Sequence, residues 1–170
     1  MENTNKTFLD EYYMLHNEKK NKIYMNQAIN ISNLSDGGPF GAIIVKDDII
    51  IGIGNNKVTV NNDPSAHAEI MAIRDACSKI NNFSLEGCSI YTSCEPCPMC
   101  LSAIYWARLD KIYYANTRDD AASIGFDDKE IYEEIGKNIN DRKIKMEKIN
   151  NTLAYETFTK WKNNNNAIHY

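Results

Sequence analysis

Short β-branched runs alternate with stretches of helical spacing along the first two thirds of the chain. Residues 40–45 and 49–53 are two such runs, separated by Lys46-Asp47-Asp48, and this pattern predicts a β-hairpin with buried strands. The same reading predicts strands at 88–92 and 111–115 and helices at 18–34, 64–80 and 98–108. Asp63-Pro64 is the predicted start of the second helix, since Asp caps helices and proline fits a first turn. Strands that alternate with helices predict an α/β fold, a three-layer α/β/α sandwich around a mixed sheet.

The pattern is less regular after residue 116. A loop with Phe126-Asp127-Asp128 leads to a predicted short helix at 128–135, a fifth strand at 144–149 and a terminal helix at 153–162. The first 16 residues are polar with scattered aromatic residues, and a helical extension is favoured over a loose arm. We therefore expect an N-terminal extension, residues 1–16, followed by one domain with a five-stranded sheet, residues 17–170.

Composition narrows the class of protein. The chain has 170 residues, 43% of them hydrophobic and 25% charged, which suits one soluble globular domain and excludes disordered and fibrous proteins. No apolar run approaches the roughly 20 residues of a membrane helix, and the polar start differs from a signal peptide, so we expect no membrane partner and a cytoplasmic protein. The net charge of −4 argues against a nucleic-acid partner.

The chemistry is concentrated in two short motifs, His67-Ala68-Glu69 and Pro96-Cys97-Pro98-Met99-Cys100. Zinc binds imidazole and thiolate ligands, and three protein ligands leave a fourth tetrahedral position for water, as in catalytic sites. His67, Cys97 and Cys100 provide such a set, so the sequence predicts one catalytic Zn²⁺ per subunit.

Cys94 leaves an alternative open, because it forms a second Cys-x-x-Cys with Cys97. A site of Cys94, Cys97, Cys100 and His67 would be a closed, structural zinc site. We favour the three-ligand site, since the closed one leaves Glu69 without a role.

Both motifs and the residues around them resemble a known family. His-x-Glu at one helix start and Pro-Cys-x-x-Cys at the next are the signature of zinc-dependent base deaminases. With residues 91–101, 103–108, 125–128 and a final Tyr170, the chain resembles the cytidine-deaminase superfamily and, within it, the bacterial guanine deaminases. The resemblance covers residues 17–170.

The resemblance implies an activity, the zinc-dependent hydrolysis of guanine, a purine base, to xanthine and ammonia. It implies that Glu69 is the proton shuttle. It also implies that Asp128 binds the substrate and assists the leaving amine, with the adjacent Asp127 as the alternative.

Further site residues follow from the resemblance and from aromatic character. Asn56 matches the asparagine that hydrogen-bonds the base, and Phe40 and Trp106 are candidates for an aromatic surface facing it, Phe40 being favoured because Trp106 is predicted to lie mid-helix. The resemblance also implies a homodimer in which an arm, about residues 152–170, is domain-swapped so that Tyr170 closes the partner's site.

Several alternatives remain at this stage. A tRNA adenosine deaminase shares the motifs, but Asp119-Asp120 and Asp127-Asp128 would repel RNA phosphates. Guanosine, cytosine or another amino-heterocycle are alternative substrates. A non-catalytic zinc module that serves as an interaction domain is the alternative from a different class.

Overall fold

The structure is a computed structural model that describes residues 2–169, so the predicted role of Tyr170 lies outside the described residues. The chain forms two compact units, residues 1–128 and residues 129–170. Among the residues described, no helix is both long enough and apolar enough to cross a membrane.

The first unit is built around a four-stranded mixed sheet. Its elements are α1 (Glu2–Asn33), β1 (Gly41–Lys46), β2 (Ile49–Asn55), α2 (Val58–Asn61), α3 (Ala68–Ile80), β3 (Ser89–Cys94), α4 (Pro98–Trp106), β4 (Lys111–Asn116) and α5 (Arg118–Ser123). The strand order is β2-β1-β3-β4, in which β1 is antiparallel to both neighbours and β3 is parallel to β4. The predicted α/β fold is confirmed, and α1 is one continuous helix that includes residues 2–16 of the predicted extension.

Helices cover both faces of this sheet. One core cluster joins α1 to the sheet and contains Ala28, Ile43, Val45 and Tyr91. The other joins α3 and α4 to the opposite face and contains, among others, Ala42, Ile44, Ala72, Ile90 and Ile104. Because alternate residues of a strand face opposite sides, β1 contributes to both clusters.

Two glycines of β2 let α3 approach the sheet closely. A Cβ atom at Gly54 would lie 2.1 Å from the backbone oxygen of Ala68, and one at Gly52 would lie 2.5 Å from that of Ala72. Both distances are far below van der Waals contact, so the backbone of α3 occupies the space that a side chain would need. This contact fixes the position of the start of α3.

The predicted start of α3 at Asp63-Pro64 is wrong. The Asp63 carboxylate instead accepts hydrogen bonds from the amide and hydroxyl of Ser65, at 2.8 and 2.6 Å, and forms a turn. An Asp side chain can stabilise either a helix start or such a turn, and here the helix begins only at Ala68. His67 is therefore the residue that precedes the helix.

The second unit contains helices and no strand within residues 129–169. It comprises α6 (Lys129–Gly136), a short 3₁₀ helix (Ile139–Asp141) and α7 (Thr152–Lys162). The predicted fifth strand at 144–149 is wrong, since this segment pairs with no strand of the sheet. Ile144 and Ile149 are 81% and 83% exposed, and an alternating apolar pattern becomes a strand only where a neighbouring strand takes up its backbone hydrogen bonds.

Candidate active site

His67 and Cys97 each occupy the position immediately before a helix. Both have extended backbones and are the N-caps of α3 and α4. Pro98 follows at the first position of α4, where its missing N–H costs no hydrogen bond. The positive ends of two helix dipoles therefore lie beside the side chains of these residues, which favours thiolate.

The imidazole of His67 lies between two thiols. Its Nδ1 is 3.6 Å from Sγ of Cys97 and 3.5 Å from Sγ of Cys100. A tetrahedral zinc ion with Zn–S bonds of about 2.3 Å and Zn–N bonds of about 2.0–2.1 Å holds sulfur and nitrogen about 3.5 Å apart. The three side chains thus have the spacing of zinc ligands, and among the side chains that the structure describes they form a group close enough to share an ion.

The thiols differ in their affinity for a proton. The hydrogen bond from Cys100 lowers the pKa of Cys97 to about 4 against the opposing effect of burial. The same hydrogen bond and burial raise the pKa of Cys100, and the hydrogen bond with Cys97 raises that of His67. These shifts favour a thiolate at Cys97, and a bound ion would displace the protons of the other ligands.

Glu69 lies directly beside these ligands. Its side chain is 6% exposed, its Oε2 is 3.4 Å from Sγ of Cys100, and its Oε1 accepts a hydrogen bond of 3.2 Å from the hydroxyl of Thr92. Burial raises the pKa of this carboxyl group. A carboxyl group with a raised pKa next to the ligands of a metal ion suits proton transfer.

Cys94 does not belong to the group of His67, Cys97 and Cys100 that the described residues form. Its thiol donates to the backbone oxygen of Thr117 at 3.5 Å, and burial raises its pKa to about 11. This arrangement favours the open three-ligand site over the closed four-ligand alternative.

Asn56 is buried and its amide group has a fixed orientation. Its Oδ1 accepts a hydrogen bond of 3.0 Å from the backbone amide of Val58, and its backbone oxygen accepts one of 2.9 Å from the hydroxyl of Ser35. Its backbone amide donates to the oxygen of Phe40 at 3.1 Å. With Oδ1 engaged, the side chain presents Nδ2 as a donor.

Phe40 packs against Phe126 near Asn56. The two rings meet edge to face, with centroids 4.9 Å apart. Gly38 lies between them and Asn56, since a Cβ at that position would be 3.4 Å from the Phe126 ring and 3.7 Å from the Asn56 amide carbon. Phe40, Phe126 and Asn56 thus form one local surface.

Asp128 is electrostatically linked to the metal ligands. It is half-buried, and burial together with the negative charge of Cys97 raises its pKa. It also contributes to the raised pKa of His67. Asp127 is exposed, so the position of Asp128 suits a substrate-binding carboxylate better.

A family comparison agrees with this geometry. The zinc-binding region of cytidine and deoxycytidylate deaminases matches residues 18–116, which include every residue of the His/Cys/Cys group and Glu69. The chain belongs to this deaminase family.

Relatives of this deaminase differ in how much of the chain they match. Guanine deaminase of Bacillus subtilis (strain 168) is 47% identical over 151 residues, which cover 86% of this chain and 97% of the relative. An X-ray structure of guanine deaminase from Bacillus subtilis has a TM-score of 0.84 at 46% identity and covers 88% of this chain and 98% of that one. The tRNA-specific adenosine deaminase of Aquifex aeolicus (strain VF5) is 46% identical over 77 residues, 45% of this chain and 51% of the relative.

Trp106 lies at the opposite end of α4 from the two cysteine ligands of the deaminase. It is the last residue of α4, not a mid-helix residue, and lies about 12 Å along the helix axis from Pro98. Its side chain is 59% exposed, with the guanidinium of Arg108 over the ring. Any contact of Trp106 with the base stays a prediction.

Two residues of the site were not singled out from the sequence. Thr92 was part of a predicted strand, and its contact with Glu69 joins positions 23 residues apart. Phe126 lies in the motif of residues 125–128, and an aromatic residue two positions before a predicted substrate-binding aspartate is the signal that points to it.

Proposed function

We propose that the protein is a zinc-dependent aminohydrolase that converts guanine and water to xanthine and ammonia. The observation that carries the reaction type is the buried carboxylate of Glu69, 3.4 Å from one of three side chains with the spacing of zinc ligands. The choice of guanine rests on the likeness to a guanine deaminase over 97% of that relative's length.

His67, Cys97 and Cys100 would hold the zinc ion, one per subunit. When bound, the ion would act as a Lewis acid that lowers the pKa of a water molecule toward neutrality. The Nδ1–Sγ distances of 3.5 and 3.6 Å support this ligand set.

Glu69 moves the protons of the reaction. It accepts a proton from water as the water oxygen bonds to C2 of guanine, and it passes that proton to N3 of the ring. The bond between C2 and the amino nitrogen then breaks, and the nitrogen leaves as ammonia with the second proton of the water. C2 becomes the carbonyl carbon of xanthine.

Asp128 binds hydrogen-bond donors of the base, and Asn56 binds hydrogen-bond acceptors. The carboxylate of Asp128 accepts from the N1–H and the 2-amino group and assists the leaving amine. The Nδ2 of Asn56 donates to a ring nitrogen or to the 6-oxo group, because Oδ1 is held by Val58. Phe40 provides apolar surface for the ring, and an adenine 6-amino group facing the Asn56 donor would lose a hydrogen bond.

A tRNA substrate fits these residues less well. Asp119, Asp120 and Asp127 are exposed at the end of the first unit, where negative charge opposes an RNA backbone. The likeness to tRNA-specific adenosine deaminases also covers less of both proteins, 45–65% of this chain and 51–70% of the relatives, than the likeness to guanine deaminase, which covers 86% and 97%.

We further propose that the protein is a homodimer in which the arm, about residues 152–170, is domain-swapped and Tyr170 closes the partner's site. In support, α7 exposes the large apolar side chains of Leu153, Tyr155 and Phe158, and exposed apolar groups of this size favour a partner surface. The separate role of residues 1–16 and the cytoplasmic location stay predictions.

A mixing experiment tests the arm. A chain that lacks residues 163–170 and a full-length Glu69→Gln chain should each be inactive, and the mixed dimer should regain activity because one site combines an intact Glu69 with an intact arm. Activity of the shortened chain by itself would contradict the swap.

A substrate panel tests the reaction. Purified zinc-loaded protein is mixed with guanine, guanosine, cytosine, adenine and an anticodon-loop RNA, and ammonia release is measured. We expect turnover of guanine, a rate reduced roughly 10²- to 10⁴-fold in Glu69→Gln at full zinc content, and an unchanged rate in the control Glu86→Gln, which alters an exposed carboxylate. Turnover of another compound in place of guanine would refute the substrate, and full zinc content without any turnover would indicate a structural zinc module.

A further inference from the structure

Thr92 places a hydroxyl group in the interior of the sheet. The residue is 1% exposed and lies in β3, between Ala42 of β1 and Tyr114 of β4. A buried hydroxyl is unfavourable unless it is hydrogen-bonded. Here it donates to Oε1 of Glu69 at 3.2 Å, a bond between a central strand and the first turn of α3.

Packing does not explain this hydroxyl. Thr92 follows Ile90 by two positions and therefore faces the same side of the sheet, the side on which Ile90 packs in the apolar cluster of α3 and α4. Valine has nearly the volume of threonine and no polar group to bury, so it would fill this position at lower cost. The contact with Glu69 is what distinguishes threonine from valine here.

The two oxygens of Glu69 have different partners. Oε1 accepts a hydrogen bond from the hydroxyl of Thr92, whereas Oε2 accepts one of 3.4 Å from the thiol of Cys100, a residue of the group of metal ligands. The last torsion of a glutamate side chain has a broad energy minimum, so a hydrogen bond to one oxygen also fixes the direction of the other.

We propose that Thr92 is a positioning residue that holds Oε1 of Glu69 as a hydrogen-bond acceptor, so that Glu69 takes and releases protons at Oε2. This inference rests on the proposed function of Glu69. The hydroxyl hydrogen occupies the acceptor site on Oε1, and the carboxylate plane is held with Oε2 toward the position of the reacting water. Such preorganisation raises kcat and leaves the binding of the base unchanged.

Two substitutions separate the hydroxyl from the packing of Thr92. Thr92→Val keeps the volume and removes the hydroxyl, and Thr92→Ser keeps the hydroxyl and removes a methyl group. We expect Thr92→Val to lower kcat about tenfold or more, with KM within about twofold and full zinc content, because hydrogen bonds to charged groups are worth at least this factor. Thr92→Ser should keep kcat within about threefold while lowering the thermal midpoint more than Thr92→Val does.

Thr59→Val is the matched control, since it makes the same chemical change at an exposed residue of α2, and it should leave kcat, KM and zinc content unchanged. Wild-type kcat in Thr92→Val would overturn the inference, as would equal losses of kcat in the two Thr92 variants. A loss of zinc in proportion to kcat would overturn it as well, since it would indicate a merely structural role.

Failure of the proposed function would look different. If the wild type deaminates another base and not guanine, the substrate assignment fails, and the Thr92 variants are compared on that base with the same expected pattern. Full activity of Glu69→Gln would remove Glu69 from the reaction and would overturn the proposal for Thr92 with it.

Discussion

Replacing Gly54 by alanine would drive a methyl group into the backbone of α3. The added Cβ would lie 2.1 Å from the backbone oxygen of Ala68 and 2.4 Å from the backbone nitrogen of Ala72. Ordinary contact begins near 3.4 Å, so the methyl group is about 1.3 Å too close. No side-chain rotation relieves a clash with backbone atoms, and we expect α3 to move away from β2 by about 1 Å.

This displacement would reach the site directly, because Ala68 lies between His67 and Glu69. Overpacking of this kind costs about 1–3 kcal/mol, which for a chain of this size lowers the thermal midpoint by roughly 2–12 °C. A misplacement of about 1 Å can reduce the rate about 10²-fold. We therefore expect Gly54→Ala to lose both stability and turnover of guanine.

In Gly54→Ala, circular dichroism melts measure the loss of stability and ammonia release measures the loss of turnover. The zinc content shows whether the metal site is intact. Gly136→Ala is the matched control, because a Cβ at this last residue of α6 would meet no atom within 4 Å. Alanine there should leave the rate unchanged and raise stability slightly, since glycine is a poor helix former. A Gly54→Ala protein with wild-type midpoint and rate would refute the account of how α3 is held.

Three further predictions concern the metal, the aromatic pair and a helix cap. Cys97→Ser should lose zinc, measured by elemental analysis, and a chelator should lower the thermal midpoint of the wild type while leaving that of Cys97→Ser unchanged. Phe126→Leu should raise the KM for guanine roughly two- to tenfold with little change in kcat, since the edge-to-face contact with Phe40 contributes about 0.5–1.5 kcal/mol; an unchanged KM would exclude Phe126 from the base site. Thr117→Val should destabilise the protein by about 1 kcal/mol in urea titrations, because it removes the capping box with Asp120 at the start of α5.

The two cysteine ligands were predictable because their placement is largely local. Cys-x-x-Cys with Pro98 at the first helical position places two thiols at one helix start whatever the rest of the fold does. The hairpin of β1 and β2 was predictable for the same reason, since two short β-branched runs and a polar turn encode it within 15 residues.

Two local signals pointed to the wrong structure. Asp63-Pro64 suits a helix start and equally a turn, and in the structure Asp63 stabilises a turn with Ser65 while the helix begins at Ala68, where α3 packs closely on Gly54. The apolar alternation at 144–149 suits a strand, yet a strand also needs a neighbour with free backbone groups. In both cases a distant part of the chain decided between two locally acceptable conformations.

The sequence alone determined the kind of chemistry: its motifs specify which side chains can bind zinc and which carboxylate stands next to them. Only the tertiary structure decided how that carboxylate is held, since the bond from Thr92 to Glu69 and the fixed amide of Asn56 depend on which atoms the folded chain brings together. Ligand spacing within one turn follows from helix geometry, whereas hydrogen bonds between separate elements follow from packing.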